Sequence, residues 1–99
     1  MFWVKLHEMG VYKMLTVVDE ELMGVEVREG EAVLKVEESF FKGHLTDEEG
    51  VEGLLWRASI VYFIGERAVE LGLKNGLVHP EAIKRIGSIP HAQSFSLEI

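Results

Sequence analysis

Apolar and polar positions alternate from the first residues of the chain. Phe2, Val4 and Leu6 fall on one side and Trp3, Lys5 and His7 on the other, the period of a half-buried strand. Met9 and Gly10 then mark a turn, and Val11 to Val18 is rich in β-formers, so the opening predicts a hairpin. Asp19 is placed to cap a short helical turn over Glu20 to Met23, with Gly24 closing it. A second hairpin is expected from Val25–Arg28 and Glu31–Val36, turning at Glu29-Gly30, with Ala32, Leu34 and Val36 on one face. Between Glu37 and Leu45 the pattern is weaker; Phe40-Phe41 could continue a strand, which Gly43 would break.

Helical spacing starts after Thr46 or Asp47, either of which suits an N-cap, with Glu48 and Glu49 where the helix dipole favours acids. One unbroken helix from there to Leu73 would run roughly 40 Å at about 1.5 Å per residue, too long for a domain with an expected radius of gyration of about 13 Å. Val51, Leu54, Leu55 and Ala58 form one apolar stripe. Ile60, Ile64, Ala68 and Leu71 form another, rotated by roughly 80°. The expectation is therefore two helices, the second capped by Ser59 and ended by Lys74-Asn75-Gly76. Gly65 then falls in mid-helix, where only a close backbone contact would justify its cost against alanine. Ile83 to Ile86 reads as a short strand, Gly87 to Ala92 as a loop, and Phe95, Leu97 and Ile99 as the buried side of a last strand. Strands, two helices, then strands make an α+β protein. The predicted architecture is a two-layer α/β sandwich, a mainly antiparallel sheet covered by two helices, in a single domain spanning 1–99.

Composition narrows the possible functions. Without cysteine there is no disulfide, thiolate metal site or cysteine nucleophile, and the expected address is the cytoplasm. Asn75 and Gln93 are the only side-chain amides, and a charge-rich, amide-poor chain points to a thermophile. Asn75 is explained as part of a helix stop; Gln93 has no such explanation. The net charge of −7 excludes binding nucleic acid through a general phosphate field. That charge is concentrated in residues 19–52, with twelve acids and three bases, while 53–99 carries four acids and five bases, leaving room for a local anion or RNA contact there. The histidines His7, His44, His79 and His91 lack metal-ligand spacing, and no phosphate loop or dinucleotide fingerprint occurs, so no metal and no cofactor are expected.

Two stretches carry candidate chemistry. In Gly87-Ser88-Ile89-Pro90-His91-Ala92-Gln93, Pro90 stiffens the backbone ahead of His91, and Gln93 can both donate and accept. The competing reading is a structural turn. A Ser88–His91 nucleophile pair lacks both an elbow motif and an orienting acid. In Gly65-Glu66-Arg67-Ala68-Val69-Glu70, a helical wheel sets Glu66, Arg67, Glu70, Lys74 and Phe63 away from the apolar stripe, either a solvated face or a contact surface. Trp56 and Phe63 could form a stacking platform, but the area aromatics bury favours packing for both.

These two motifs, with Asp19-Glu20-Glu21-Leu22-Met23-Gly24, Arg28-Glu29-Gly30 and Phe41-Lys42-Gly43 before them, resemble an archaeal family, domain of unknown function 424, over essentially the whole chain. The resemblance implies archaeal origin, a small two-layer α/β domain and the company of translation genes, and it implies no activity. Ser88 stands where the family pattern has a second glycine. The leading expectation is a non-catalytic binding module for a partner protein or RNA. Its contacts would come from Glu66, Arg67, Ser88, Pro90, His91 and Gln93, joined by Lys84 and Arg85. The alternative is a small-molecule enzyme with His91 as acid–base group, Arg67 as anion holder and Glu66 as the nearby carboxylate. Both depend on whether Arg67 and His91 meet. Monomer and homodimer are equally open.

Overall fold

In the computed structural model, which describes residues 1–95, the opening alternation folds as expected into a hairpin. Strands β1 (Phe2–Met9) and β2 (Tyr12–Asp19) pair antiparallel from Phe2 opposite Asp19 to Met9 opposite Tyr12. The second hairpin also forms, from β3 (Glu26–Glu29) and β4 (Ala32–Lys35). The segment around Phe40-Phe41 does not continue a strand. It is a short helix, α1 (Glu38–Phe41), which brings Phe40 over His7 and sinks Phe41 into the core. Strand β5 (His44–Thr46) follows, and then helix α2 (Glu48–Leu54), N-capped by Asp47 Oδ1 accepting from the Gly50 amide at 2.9 Å.

The expectation of a second helix capped by Ser59 fails. After α2 the chain tightens into a 3₁₀ turn, Leu55–Arg57, and then extends as strand β6 (Ile60–Ile64) before helix α3 (Glu66–Lys74). Ile60-Val61-Tyr62-Phe63-Ile64 is an unbroken run of β-branched and aromatic residues, the composition strands favour. It shows no alternation because β6 is covered on both sides, and it is the one strand that pairs parallel with β2, Met14 opposite Ile60 through Val18 opposite Ile64. Ile60 and Ile64 match a helical repeat only because an apolar run of five satisfies any period.

The Gly87–Ala92 loop is likewise shorter than expected. Strand β7 (Lys84–Ile86) turns at Gly87-Ser88 directly into β8 (Ile89–Phe95), so Pro90, His91 and Gln93 lie on a strand. Pro90 is tolerated near the strand start, and its carbonyl still accepts the Gly65 amide at 2.9 Å. On the last strand the expected faces are reversed, with Phe95 66% exposed and Ser94 buried, and the other expected core positions, Leu97 and Ile99, lie outside the described residues.

The six-stranded sheet has the order β5-β1-β2-β6-β8-β7, and every neighbouring pair except β2–β6 is antiparallel. This is the predicted α+β architecture. Helices α2 and α3 cover one face, packing Val51, Leu55, Ala68 and Leu71 on Phe2, Val4, Leu15, Val17, Val61 and Phe63. The β3–β4 hairpin and α1 cover part of the other, where Leu34, Val36 and Phe41 meet Val18, Ile64 and Ile89.

Candidate functional site: a basic aromatic cleft

The two ends of the sheet differ in chemistry. At one end the C-termini of β2 and β6 meet the start of α3. Gly65, at φ 110° and ψ 160°, makes the turn from β6 into the helix. Asp19 ends β2 beneath it and is only 3% exposed. Its Oδ2 accepts from the Arg67 amide at 3.1 Å and its Oδ1 from the Ala68 amide at 2.8 Å, so the carboxylate caps α3 and not the Glu20–Leu22 turn that follows it. Burial pushes the Asp19 carboxyl above the usual carboxylate range, against the pull of those two amides and of the Arg67 charge.

Four of the sequence-predicted residues, Glu66, Arg67, Ser88 and Pro90, line a shallow cavity of about 370 Å³ at this end. Their charged groups already have partners. The Arg67 guanidinium reaches Glu21 at 2.6 Å and the Met1 carbonyl at 3.3 Å, and lies 5.0 Å from the Phe2 ring centre. Glu66 pairs with Arg85 at 3.0 Å, and Arg85 also donates to the Ser88 carbonyl. An incoming anion would have to displace Asp19 from the helix N-terminus, where an anion would otherwise be welcome.

His91 and Gln93 are not brought to this cavity. They point to the opposite face of the sheet from α3, where His91 sits edge-on to Tyr62 with ring centres 6.0 Å apart and Gln93 is exposed. Among the described residues the His91 Nε2 is buried without a hydrogen-bond partner. The sheet thus separates Arg67 from His91, and the shared acid–base and anion site expected of them is not assembled.

Burial, followed by the Lys84 charge, holds the His91 pKa below its ordinary value. His7 is lowered in the same way by burial and then Lys5. Both rings therefore resist protonation in the fold. As pH falls below about 6.5 the unfolded chain takes up protons that the folded chain refuses, so stability is lost on acidification. The urea midpoint should fall between pH 7.5 and 5.5, and a His7→Gln/His91→Gln variant should lose most of that slope; an equal slope in the variant would assign it to other groups.

The opposite end holds what the sequence reading missed. A cleft of about 450 Å³ opens between the β1–β2 turn and the Leu55–Ser59 segment. In a 3₁₀ turn residues three apart eclipse, so Leu55 and Ala58 share the inward side and Trp56 and Arg57 are thrown outward. Trp56 is 75% exposed, against the expectation that it packs, whereas Phe63 packs fully as expected. The Ser59 amide donates to the Lys13 carbonyl at 3.0 Å, pinning this segment to β2. Tyr12, Lys13, Trp56, Arg57, Ser59 and Ser94 supply the functional groups of the lining, and no carboxylate is among the lining residues. Among the described residues neither Lys13 nor Arg57 forms an ion pair, although Glu8 faces Lys13 across the hairpin. Met9, Val11 and Phe95 are exposed at the same end, Val11 at 92%. The sequence signal was present: Trp56-Arg57 lies off the Val51/Leu54/Leu55/Ala58 stripe.

Among the described residues no group of three His, Cys, Asp or Glu could hold a metal ion, and no helix is long and apolar enough to cross a membrane. The fold and these two ends define a small α+β domain with a basic aromatic cleft at one end and a self-capped helix start at the other. The chain belongs to the family described as "Protein of unknown function (DUF424)", whose model matches residues 7–97. No curated protein matches it. Among solved structures it resembles an uncharacterized conserved protein from Methanopyrus kandleri, with a TM-score of 0.80 and 22% identity over 99% of this chain and 95% of that one. At that identity the likeness establishes the fold.

Proposed function

We propose that this chain is a non-catalytic binding module and that its recognition surface is the cleft between the β1–β2 turn and Trp56. The observation that carries this reading is the composition of the lining. In a chain with net charge −7, the cleft gathers two cations, an exposed indole and a phenol, with no carboxylate. Exposed apolar groups this size at one end of a small domain mark interaction sites. Together they fit a ligand that joins a planar or apolar group to an anion. The family resemblance supports a translation-related setting, and the composition without cysteine supports a cytoplasmic, thermophilic one. The enzymatic alternative built on His91 and Arg67 draws no support from the geometry, because the sheet lies between the two.

A planar aromatic anion, 1-anilinonaphthalene-8-sulfonate, tests the cleft directly. In a Trp3→Phe protein, Trp56 is the sole tryptophan, and energy transfer from it to the bound probe should be strong. Arg57→Glu should weaken probe binding about tenfold without lowering Tm, a change of ~1.4 kcal/mol for a partly desolvated charge contact. Probe binding that ignores Arg57→Glu and shows no transfer from Trp56 would put the recognition surface elsewhere.

A further inference from the structure

We infer that the ligand of this cleft is a short single-stranded nucleotide segment, one or two nucleotides long, as at a strand end or in an open loop. This rests on the reading of the cleft as the recognition surface and adds the class and length of its ligand. Three observations carry it.

The first is the pairing of aromatic faces with cations. Trp56 stands 75% exposed, and Tyr12, Lys13 and Arg57 line the same cleft. Every base has a face that stacks on an aromatic side chain, and its phosphate needs a cation nearby. A duplex cannot use this arrangement, because its bases are already stacked and its grooves would have to admit a helix or ribbon. Single strands and loops can splay a base outward.

The second is volume. About 450 Å³ falls within the range of small-ligand pockets, enough for one base with its sugar and little more. Ser59 and Ser94 are among the lining residues, and the Ser59 hydroxyl, which donates to the Lys13 carbonyl, keeps its oxygen as an acceptor.

The third is the boundary of the positive charge. Lys13 and Arg57 are the two cations of the lining, and Glu8 lies directly opposite Lys13 in the hairpin register. The two cations can neutralise two phosphates, and the lining offers no cation for a third. The length limit therefore follows from charge placement, not from the size of the protein.

Two phosphate contacts on a single strand predict a shallow salt dependence, with log K falling against log salt at a slope of about −1.4. The test uses the Trp3→Phe protein, titrated with uridine monophosphate and with uridine oligonucleotides of two, four and twelve residues. The deoxythymidine series runs alongside to separate ribose from deoxyribose strands. Trp56 fluorescence should be quenched, affinity should rise from one nucleotide to two, and longer strands should gain less than about twofold. Tyr12→Ala and Arg57→Ala, read by anisotropy of a labelled dinucleotide, should each weaken binding ~10-fold, within the range seen for loss of a stacking or charge contact.

Affinity that keeps climbing to the twelve-residue strand with a steeper salt slope would overturn the length limit. No quenching by any oligonucleotide, with the naphthalene sulfonate still bound at Trp56, would overturn the nucleotide assignment while leaving the cleft as the recognition surface. An acidic aromatic peptide such as acetyl-Asp-Phe-Glu binding in its place would turn the assignment to a protein partner. Failure of the sulfonate probe as well would remove the cleft reading itself.

Discussion

Gly65→Ala should destabilise the protein by about 3 kcal/mol, lowering Tm by about 12–24 °C for a domain of this size. Two effects act together. The backbone at φ 110° and ψ 160° lies in a region that essentially only glycine occupies. A Cβ there would also overlap the carboxyl carbon and Oδ2 of Asp19, which is held in place by the Arg67 and Ala68 amides. Neither side can yield cheaply: moving Asp19 uncaps α3, and moving Gly65 breaks its amide bond to the Pro90 carbonyl. The overlap predicts non-additivity. In an Asp19→Ala background, itself about 1–2 kcal/mol less stable through loss of the cap, Gly65→Ala should cost measurably less than in the wild type. Thermal melts of the two single variants and the double variant decide this. A Gly65→Ala protein melting within a few degrees of wild type would mean the turn has another conformation.

Phe63→Ala should cost about 3–5 kcal/mol, the range for removing a fully buried aromatic. Phe63 is 0% exposed at the centre of β6, among Leu15, Val17 and Ala68 on the helix-covered face. Its ring also explains Gly72: a Cβ there would stand 3.0 Å from Phe63 Cε2, and closer still to Val78. Trp56→Ala is the companion measurement. With its side chain mostly in solvent it should shift stability by no more than about 0.5 kcal/mol, since surface substitutions seldom do more. Urea midpoints for the pair separate a core aromatic from a ligand-facing one. Equal losses would mean that Trp56 is a packing residue after all.

That contrast shows where the sequence was legible. The β1–β2 hairpin, the β3–β4 hairpin, Asp47 as a cap and the Lys74-Asn75-Gly76 stop were all readable, because each is decided within a few residues. Alternation, a capping side chain and a left-handed glycine are local properties. Asn75 is an instance: its Nδ2 donates to the Leu71 carbonyl at 2.9 Å and to Glu52 at 3.0 Å, a structural use within the helical layer. Strand β6 was not readable. Its neighbours β2 and β8 lie far from it in sequence, and burial on both faces erased the alternation that would have marked it. Once β6 was taken for helix, Gly65 became a mid-helix oddity instead of the turn at which β6 ends.

The candidate site divides in the same way. The stretch 65–70 and the turn before Pro90 come close, and Glu66, Arg67, Ser88 and Pro90 share a cavity. His91 and Gln93 were separated from it by strand geometry. Successive residues of β8 point to opposite faces, so a strand that presents Pro90 and Ala92 to the helices presents His91 and Gln93 to the other side. Reading those residues as a loop removed that constraint.

The sequence by itself therefore determined the α+β class, the two hairpins, the Asp47 start of α2, the stop of α3 after Lys74 and the family to which the chain belongs, all of which rest on local patterning. Only the tertiary structure decided that Asp19 caps a helix nearly fifty residues away, that Arg67 and His91 lie on opposite sides of a sheet, and that Trp56 and Arg57 share a cleft with Tyr12 and Lys13. Those facts depend on which strands pair and in what register, and pairing is settled by burying both faces of β6 at once. No single segment of the chain carries that information.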